Sequence, residues 1–330
     1  MNADNHRKKI LVIKLGALGD FIQALGPMAA IRRAHPDAHM TILTTRPFEE
    51  LAHRCGYFDE IWLDDKPRAL DLTGWLSLRK KLLSGNFTRV YDLQNSDRTF
   101  FYFRLFPVAK RPEWVGAVKG ASHSNRSPDR SLGHALEGHK QTLALAGIKD
   151  VEIDDLKWVK EDLSGFDLPP SYVLFVPGCA PQHPQKRWPA EHFAAIGNLL
   201  VQRNIRPVLL GTGVEKDINA NIRNICPESL DLTGKTTLFQ VVALARSASG
   251  ALGNDTGPIH LIAATGCPCV ALFSGTSDKI KHAPRGKNVT IIQEGELRNL
   301  NVKTAYNALM KTLAQREAAS DDMKRTEKTG

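Results

Sequence analysis

Four short segments carry side chains that could bind or move charge. The first is Lys14-Leu15-Gly16-Ala17-Leu18-Gly19-Asp20, directly behind the apolar run Ile10 to Ile13. Gly16 and Gly19 let the backbone turn sharply and lie close to a ligand, and a helix opening there offers unpaired amides. Its G-x-x-G-D spacing differs from the G-x-G-x-x-G of dinucleotide sites, which argues against an oxidoreductase. Asp20 stands where a helix N-cap would, and capping is a sufficient explanation for it. A carboxylate at the end of a strand is also placed to accept a proton. The second segment is Pro177-Gly178-Cys179-Ala180 followed by Lys186-Arg187-Trp188-Pro189 and Phe193. Lys186 is a compact donor for phosphate oxygens beside a helix start, whereas solvation of Lys186 and Arg187 and packing of Trp188 are the plainer readings.

The third segment, Leu209-Leu210-Gly211-Thr212-Gly213-Val214-Glu215, is again a strand, a glycine turn and a helix start. Glu215 favours the helix dipole there, and such an acid can also hold a ribose diol. The fourth and most specific is Gly253-Asn254-Asp255-Thr256-Gly257-Pro258-Ile259-His260. Asp255 or Thr256 can cap, Gly257 admits a ligand to the backbone, and Pro258 suits a first helical turn. The amides of Thr256 and Gly257 would then form an anion site. His260 reads as a hydrogen-bonded structural histidine.

Alternating strands and helices must position these segments. Strands are expected at 10–13, 40–43, 60–63 and 90–93, with helices over 20–34 and 72–83 between them. The breakers from Ser164 to Pro170 interrupt the alternation and read as a linker. Beyond them strands are expected at 172–176, 205–210, 251–253 and 269–273, with helices over 189–202, from about Glu215, over 238–246 and over 257–265. Strand–helix alternation of this kind indicates parallel βαβ units. The expected fold class is α/β: two Rossmann-like doubly wound domains, residues 1–165 and 166–316, facing a cleft. Val302, Tyr306, Leu309, Met310 and Leu313 share a helical face, and 317–330 is expected as a charged flexible tail.

The composition is that of an ordinary globular chain, 42% hydrophobic and 24% charged over 330 residues. That length suits two domains of about 150 residues each. The basic start has no secretory apolar core behind it, and no run approaches the roughly 20 apolar residues that span a bilayer. A cytoplasmic protein is therefore expected. Five cysteines, an odd number, argue for free thiols, and Cys267-Pro268-Cys269 lacks the spacing and second pair of a metal site. The net charge of +9 favours anionic partners. Seven basic residues, among them Arg98, Arg104, Lys110 and Arg111, lie between Asn95 and Arg130 against three acids, where a solvated face is the default reading.

As a set, in order and spacing, the four segments resemble the heptosyltransferase family, glycosyltransferase family nine, with the two-Rossmann architecture called GT-B. The similarity runs from Ile10 to Phe273, and Asp92-Leu93-Gln94 followed by Arg98 also looks like the family's N-domain pattern. The resemblance implies an inverting, metal-independent transfer of heptose from ADP-heptose to the lipopolysaccharide inner core, with Asp20 as general base. It further implies donor binding by Gly16, Gly19, Lys186, Glu215, Asp255, Thr256 and Gly257, no cofactor beyond the nucleotide sugar, and no metal. The acceptor would be an anionic glycolipid at the inner leaflet, met by Arg98, Arg104, Lys110 and Arg111, so the enzyme would sit at the inner face of the cytoplasmic membrane. Two departures stand out: Phe273-Ser274-Gly275-Thr276-Ser277-Asp278 replaces a Gly-Pro-Thr turn, and Leu15, Gly16 and Ala17 stand where Ser or Thr is common.

Three other readings fit the same segments. A glycosyltransferase using another nucleotide sugar would keep the base and the phosphate site. A nucleotide-sugar epimerase of the same architecture would release products without an acceptor, and a non-catalytic nucleotide-sugar-binding protein would need no base. Nucleic-acid binding has the charge in its favour but no recognisable module.

Overall fold

The computed structural model of the protein describes residues 7–180 and 182–327, the side chains of 315–327 excepted. It divides into two compact units, 1–154 and 155–330. The first unit contains β1 (Lys9–Ile13), α1 (Leu18–Ala34), β2 (His39–Thr44), α2 (Glu49–Arg54), β3 (Glu60–Leu63) and α3 (Leu72–Ser84). It continues with β4 (Arg89–Asp92), α4 (Asp97–Leu105), β5 (Glu113–Gly116), β6 (His123–Ser124), α5 (Asp129–Leu132) and α6 (Ala135–Ala144). The second unit contains β7 (Tyr172–Val176), α7 (Ala190–Val201), β8 (Arg206–Leu209), α8 (Lys216–Ile225), β9 (Leu230–Asp231) and α9 (Leu238–Ser247). After these come β10 (Gly250–Asn254), α10 (Gly257–Ala264), β11 (Cys269–Ser274), α11 (Lys279–His282), β12 (Val289–Glu294) and α12 (Val302–Glu327).

Each unit holds one six-stranded parallel sheet, ordered β3-β2-β1-β4-β5-β6 in the first and β12-β11-β10-β7-β8-β9 in the second. Counted from each unit's own first strand, both orders are 3-2-1-4-5-6, the doubly wound arrangement of the Rossmann fold. Helices cover both faces of such a sheet, so its inner strands read as continuous apolar runs rather than alternating ones. Ile10 to Ile13 on β1 and all of β7, β10 and β11 are buried accordingly. Trp114, Tyr102 and Phe103 fill the first core, and Phe175, Trp188 and Phe193 the second.

Local chemistry starts the helices where the sheets need them. Ser96 and Thr99 form a reciprocal capping box at α4, and Thr237 and Gln240 do the same at α9. The boundary between the units falls earlier than the Ser164–Pro170 breakers suggest. Leu156 and Val159 are fully buried, and the Arg246 guanidinium donates to the backbone carbonyls of both, tying this stretch to the second unit. The tail expected from 317 is helical in its backbone as far as Glu327, and 328–330 lie outside the described residues. All five cysteines are buried free thiols. Among the described residues no helix is long and apolar enough to cross a membrane.

Candidate functional site

In a sheet ordered 3-2-1-4-5-6 the crossovers from strands 1 and 4 leave on opposite faces, which opens a crevice at their carboxyl ends. In the first unit these strands are β1 and β4, paired so that Ile13 lies against Asp92. The chain leaving β1 is held from three sides. The Lys14 amide donates to the Leu43 carbonyl at 3.1 Å, the Leu15 amide to Gln94 Oε1 at 2.9 Å, and Thr45 Oγ1 to the Leu15 carbonyl at 3.1 Å. Gly16 has φ +121°, and a Cβ there would meet the Phe48 ring at 2.6 Å, so the Phe48 ring lies directly on the turn. Phe48 itself stacks on Phe21 of α1 at 4.9 Å.

Asp20 is the third residue of α1 and not its cap. The N-cap is Ala17, which has no side chain able to bond, because the turn closes three residues earlier than the spacing suggests. A carboxylate in the first turn is stabilised by the helix dipole. At the ends of β1 and β4 lie two buried ionisable side chains, Lys14 and Asp92. Burial pushes the Asp92 carboxyl up to about 6, against the pull of the Asn95 and Gln94 amides and the Lys14 charge. Burial also draws the Lys14 ammonium below its usual range, while Asp20 and then Asp92 draw it back. On α6, burial and then the Lys14 charge push the His139 imidazole down to about 3, so it is neutral near pH 7.

In the second unit the equivalent strands are β7 and β10, with Val176 against Gly253. One side chain links the loops that leave them. Asn254 Nδ2 donates to the Pro177 carbonyl at 2.7 Å, and its Oδ1 accepts from the Trp188 amide at 3.1 Å. Trp188 is buried with its Nε1 donating to the Leu300 carbonyl at 3.1 Å, so it is packing, as the sequence suggests. Arg187 is half-buried, and its guanidinium donates to the Cys179 carbonyl at 3.3 Å, beside the Gly178 turn. Lys186 meets Asp255, Nζ to Oδ2 at 2.7 Å, and the Ser277 hydroxyl donates to the same oxygen at 2.8 Å.

This pairing changes the role of Asp255. Its carboxylate caps no helix but fixes the Lys186 ammonium. Thr256 is the N-cap of α10 and makes no side-chain capping bond, while Gly257 and Pro258 open the helix. The Thr256 and Gly257 amides donate to no acceptor among the described residues, so two donors and a lysine converge at a helix N-terminus, where anions are favoured. Glu215 lies across the next turn. A Cβ on Gly178 would meet Glu215 Cγ at 2.4 Å, and one on Gly211 would meet its Cβ at 2.7 Å. Its Oε2 accepts from the Thr212 amide and hydroxyl at 2.8 and 2.7 Å, and its Oε1 has no partner among the described residues. Burial holds the Cys179 thiol up, and it donates to the His183 carbonyl at 3.0 Å, so it is not a thiolate nucleophile.

The expected residues thus fall into separate groups. Gly16, Gly19 and Asp20 sit at the switch point of the first unit; Lys186, Glu215, Asp255, Thr256 and Gly257 gather at that of the second. Arg98, Arg104, Lys110 and Arg111 are not brought together. Arg98 is spent on Tyr102 Oη at 3.3 Å and the Pro67 carbonyl at 3.1 Å and lies 5.3 Å from the Trp75 ring. Arg111 lies 4.0 Å from the Phe103 ring and donates to the Phe106 carbonyl. Arg104 and Lys110 are exposed. On α4, Arg98 and Arg104 are six positions apart, about 240° around the helix. Sequence reasoning missed Ser277, the buried Lys14 charge and His139; only the Asp92-Leu93-Gln94 run hinted at the buried pair. Among the described residues no three of His, Cys, Asp and Glu are grouped to hold a metal ion.

Two Rossmann-type units make up the GT-B architecture of glycosyltransferases, and here each has its expected site residues at the switch point. Residues 75–311 match the family model of glycosyltransferase family 9 (heptosyltransferase). The chain belongs to that family and is a glycosyltransferase. It is 35% identical over 132 residues, 38% of either chain, to lipooligosaccharide heptosyltransferase 2 of Haemophilus influenzae. With the lipopolysaccharide core heptosyltransferase OpsX of the same organism it shares 24% over 291 residues, covering 81% of this chain and 79% of that one. The structure of the E. coli ADP-heptose lipopolysaccharide heptosyltransferase II superposes with a TM-score of 0.71 at 21% identity, covering 94% of this chain and 99% of that one.

Proposed function

We propose that the enzyme transfers heptose from ADP-heptose to the inner core of lipopolysaccharide, inverting the anomeric centre and using no metal ion. The observation that carries the donor side is the Lys186–Asp255 pair at the start of α10, where the Thr256 and Gly257 amides donate to no acceptor among the described residues. A lysine and a helix N-terminus supply positive potential where a diphosphate would otherwise need a cation. Glu215, with Oε1 unengaged, is the group for the ribose hydroxyls. The relatives, lipopolysaccharide and lipooligosaccharide heptosyltransferases, favour heptose and this acceptor class.

In the reaction the Asp20 carboxylate takes the proton from an acceptor hydroxyl as its oxygen attacks the anomeric carbon. The bond from that carbon to the β-phosphate oxygen breaks, and both electrons leave with the diphosphate. Charge therefore grows on the leaving group, where Lys186 and the two amides are already set, so they stabilise the transition state more than the ground state. Asp255 and Ser277 hold the lysine in place for that moment. The acceptor, an anionic glycolipid at the inner face of the cytoplasmic membrane, would be met by exposed bases of the first unit, Arg104 and Lys110.

The test is calorimetric binding of ADP, UDP, GDP and NAD with and without EDTA, followed by turnover of ADP-heptose on heptose-deficient lipopolysaccharide. A preference for ADP that EDTA leaves unchanged, with turnover, is the expected result. A preference for UDP or GDP would remove heptose from the reading, and loss of binding or turnover in EDTA would remove the metal-free mechanism.

A further inference from the structure

Exposed large apolar side chains are unevenly spread over the described residues. Five of the eleven, Leu70, Leu72, Leu76, Phe101 and Val108, fall between positions 70 and 108. Leu72 and Leu76 stand one turn apart on α3, so they share a face, and they are 73% and 64% exposed. The core-facing side of the same helix carries the buried Leu78 and Leu82. α3 is therefore apolar on two sides, whereas an ordinary surface helix turns a polar face to water.

Contacts between α3 and α4 join these side chains into one surface. The Trp75 ring meets Phe101 edge-to-face at 4.8 Å, and Arg79 Nε donates to the Leu105 carbonyl at 3.1 Å, three residues before Val108. Cations border the apolar stretch. Lys80 lies one turn beyond Leu76, and Arg104 lies three residues beyond Phe101. Arg79, Lys80 and Arg104 are exposed, and none is paired with a carboxylate among the described residues. Acids are scarce here: Asp71 is the only one between 66 and 84 and is spent capping α3, and none lies between 98 and 111. Asp97 is the one acid on α4. Because β3 ends at Leu63 and α3 begins at Leu72, Leu70 and Leu72 lie at the carboxyl end of the first sheet, the end that also carries Asp20.

Leucines bordered by unpaired cations fit a bilayer with anionic headgroups, where the leucines enter the acyl boundary and the bases stay with the phosphates. The core of a protein–protein interface is depleted in lysine and other charges. We propose that the α3–α4 face of the first unit docks the chain on an anionic membrane surface, lying on the bilayer rather than crossing it. For its purpose this rests on the reading of a membrane-borne acceptor, because docking by α3 brings the carboxyl end of the first sheet to the lipid.

Co-sedimentation of the full chain with phosphatidylcholine vesicles, with and without one-third phosphatidylglycerol, tests the docking with no acceptor present. Wild type should bind the anionic vesicles several-fold more tightly than the neutral ones, and raised salt should weaken that binding. Leu72→Gln with Leu76→Gln, which keeps good helix formers, should lower partitioning roughly tenfold or more. Arg79→Gln with Lys80→Gln should do the same, at about fivefold per charge. Ile225→Gln, an exposed site in the second unit, should change nothing. Circular dichroism confirms folding, and if the leucine variant does not fold, the Arg79 and Lys80 variant decides by the same criterion. No binding by wild type, equal binding to both vesicles, or wild-type binding in the leucine variant overturns the proposal. So does a dimer in light scattering that the leucine variant dissociates, without vesicle binding, since the face would then join two copies of the chain. With vesicle-embedded heptose-deficient lipopolysaccharide, ADP release should fall in the leucine variant alongside its binding. Absence of ADP release even in wild type would refute the transferase reading, while the vesicle result would still decide the docking.

Discussion

Lys186→Met is the substitution whose outcome follows most directly from the geometry. Lys186 Nζ lies 2.7 Å from Asp255 Oδ2, and the two side chains are 23% and 9% exposed. Breaking a fully buried ion pair costs about 3–5 kcal/mol, but here the lysine is partly in water and Ser277 remains on the carboxylate. A loss of about 1–2 kcal/mol is therefore expected, or about 3–6 °C in the melting temperature of a unit this size. The binding effect is separate. A hydrogen bond to a charged group contributes about 1.5–3 kcal/mol, so the Kd for ADP should rise roughly 10- to 100-fold. Because the diphosphate gains charge as it leaves, kcat should fall further, by about 10²-fold or more. Asp255→Asn removes a negative charge beside the phosphates and frees the lysine, so ADP should bind as well or better while kcat drops through loss of lysine placement. Calorimetry with ADP on the two variants and their double mutant measures the affinities, thermal melts the stability, and turnover of ADP-heptose the kcat. An ADP Kd within twofold of wild type in Lys186→Met would refute the reasoning, for the pair would then be structural and the phosphates elsewhere.

Three further outcomes are expected. Gly178→Ala places a Cβ 2.4 Å from Glu215 Cγ; the glutamate must leave Thr212, costing about 1 kcal/mol of cap and weakening ADP binding, while unchanged binding in a titration would show Glu215 has no part in it. The Asp92 carboxyl goes from 3.8 to about 6 on folding. Its proton is held more tightly in the folded state, so as pH rises through that window the wild type should lose about 3 kcal/mol relative to Asp92→Asn; a melting-temperature difference that does not change between pH 4 and pH 7 would contradict this. Finally, Arg104→Ser with Lys110→Ser should raise the KM for lipopolysaccharide several-fold at low salt and leave ADP affinity alone, since both are exposed; equal acceptor kinetics would release them from acceptor binding.

How much of this could be read from the sequence depended on the range of the interactions. Strands such as 10–13 and 172–176 were legible because a parallel strand buried on both faces is an apolar run whatever surrounds it. β6 and β9 were not, since two residues each carry no period. The breakers at 164–170 suggested the domain boundary, but Arg246, on α9, decides it by gripping Leu156 and Val159. Glycine turns and helix starts were placed to within a few residues, which put Asp20 at the start of α1 but could not tell its third residue from its cap. Asp255 was harder. Its local sequence suits a cap, and the partner that claims it, Lys186, is 69 residues away. Ser277 carried no local signal at all, and the basic run between 95 and 130 looked like one surface only because charge was counted along the chain rather than around α4.

The cluster of Lys186, Asp255 and Ser277 is assembled from the loops after β7, β10 and β11, and Asn254 locks the first two together. None of these loops is adjacent in sequence, and each is aimed only when its strand has found its place in the sheet. Lys186, made early in the second unit during synthesis, has no partner until Asp255 and Ser277 emerge and β10 inserts beside β7. If the proposed donor role of this cluster holds, nucleotide affinity is one of the last properties this chain acquires as it is made. On the proposed reading, a ribosome stalled before β11 should present a nascent chain that is blind to ADP.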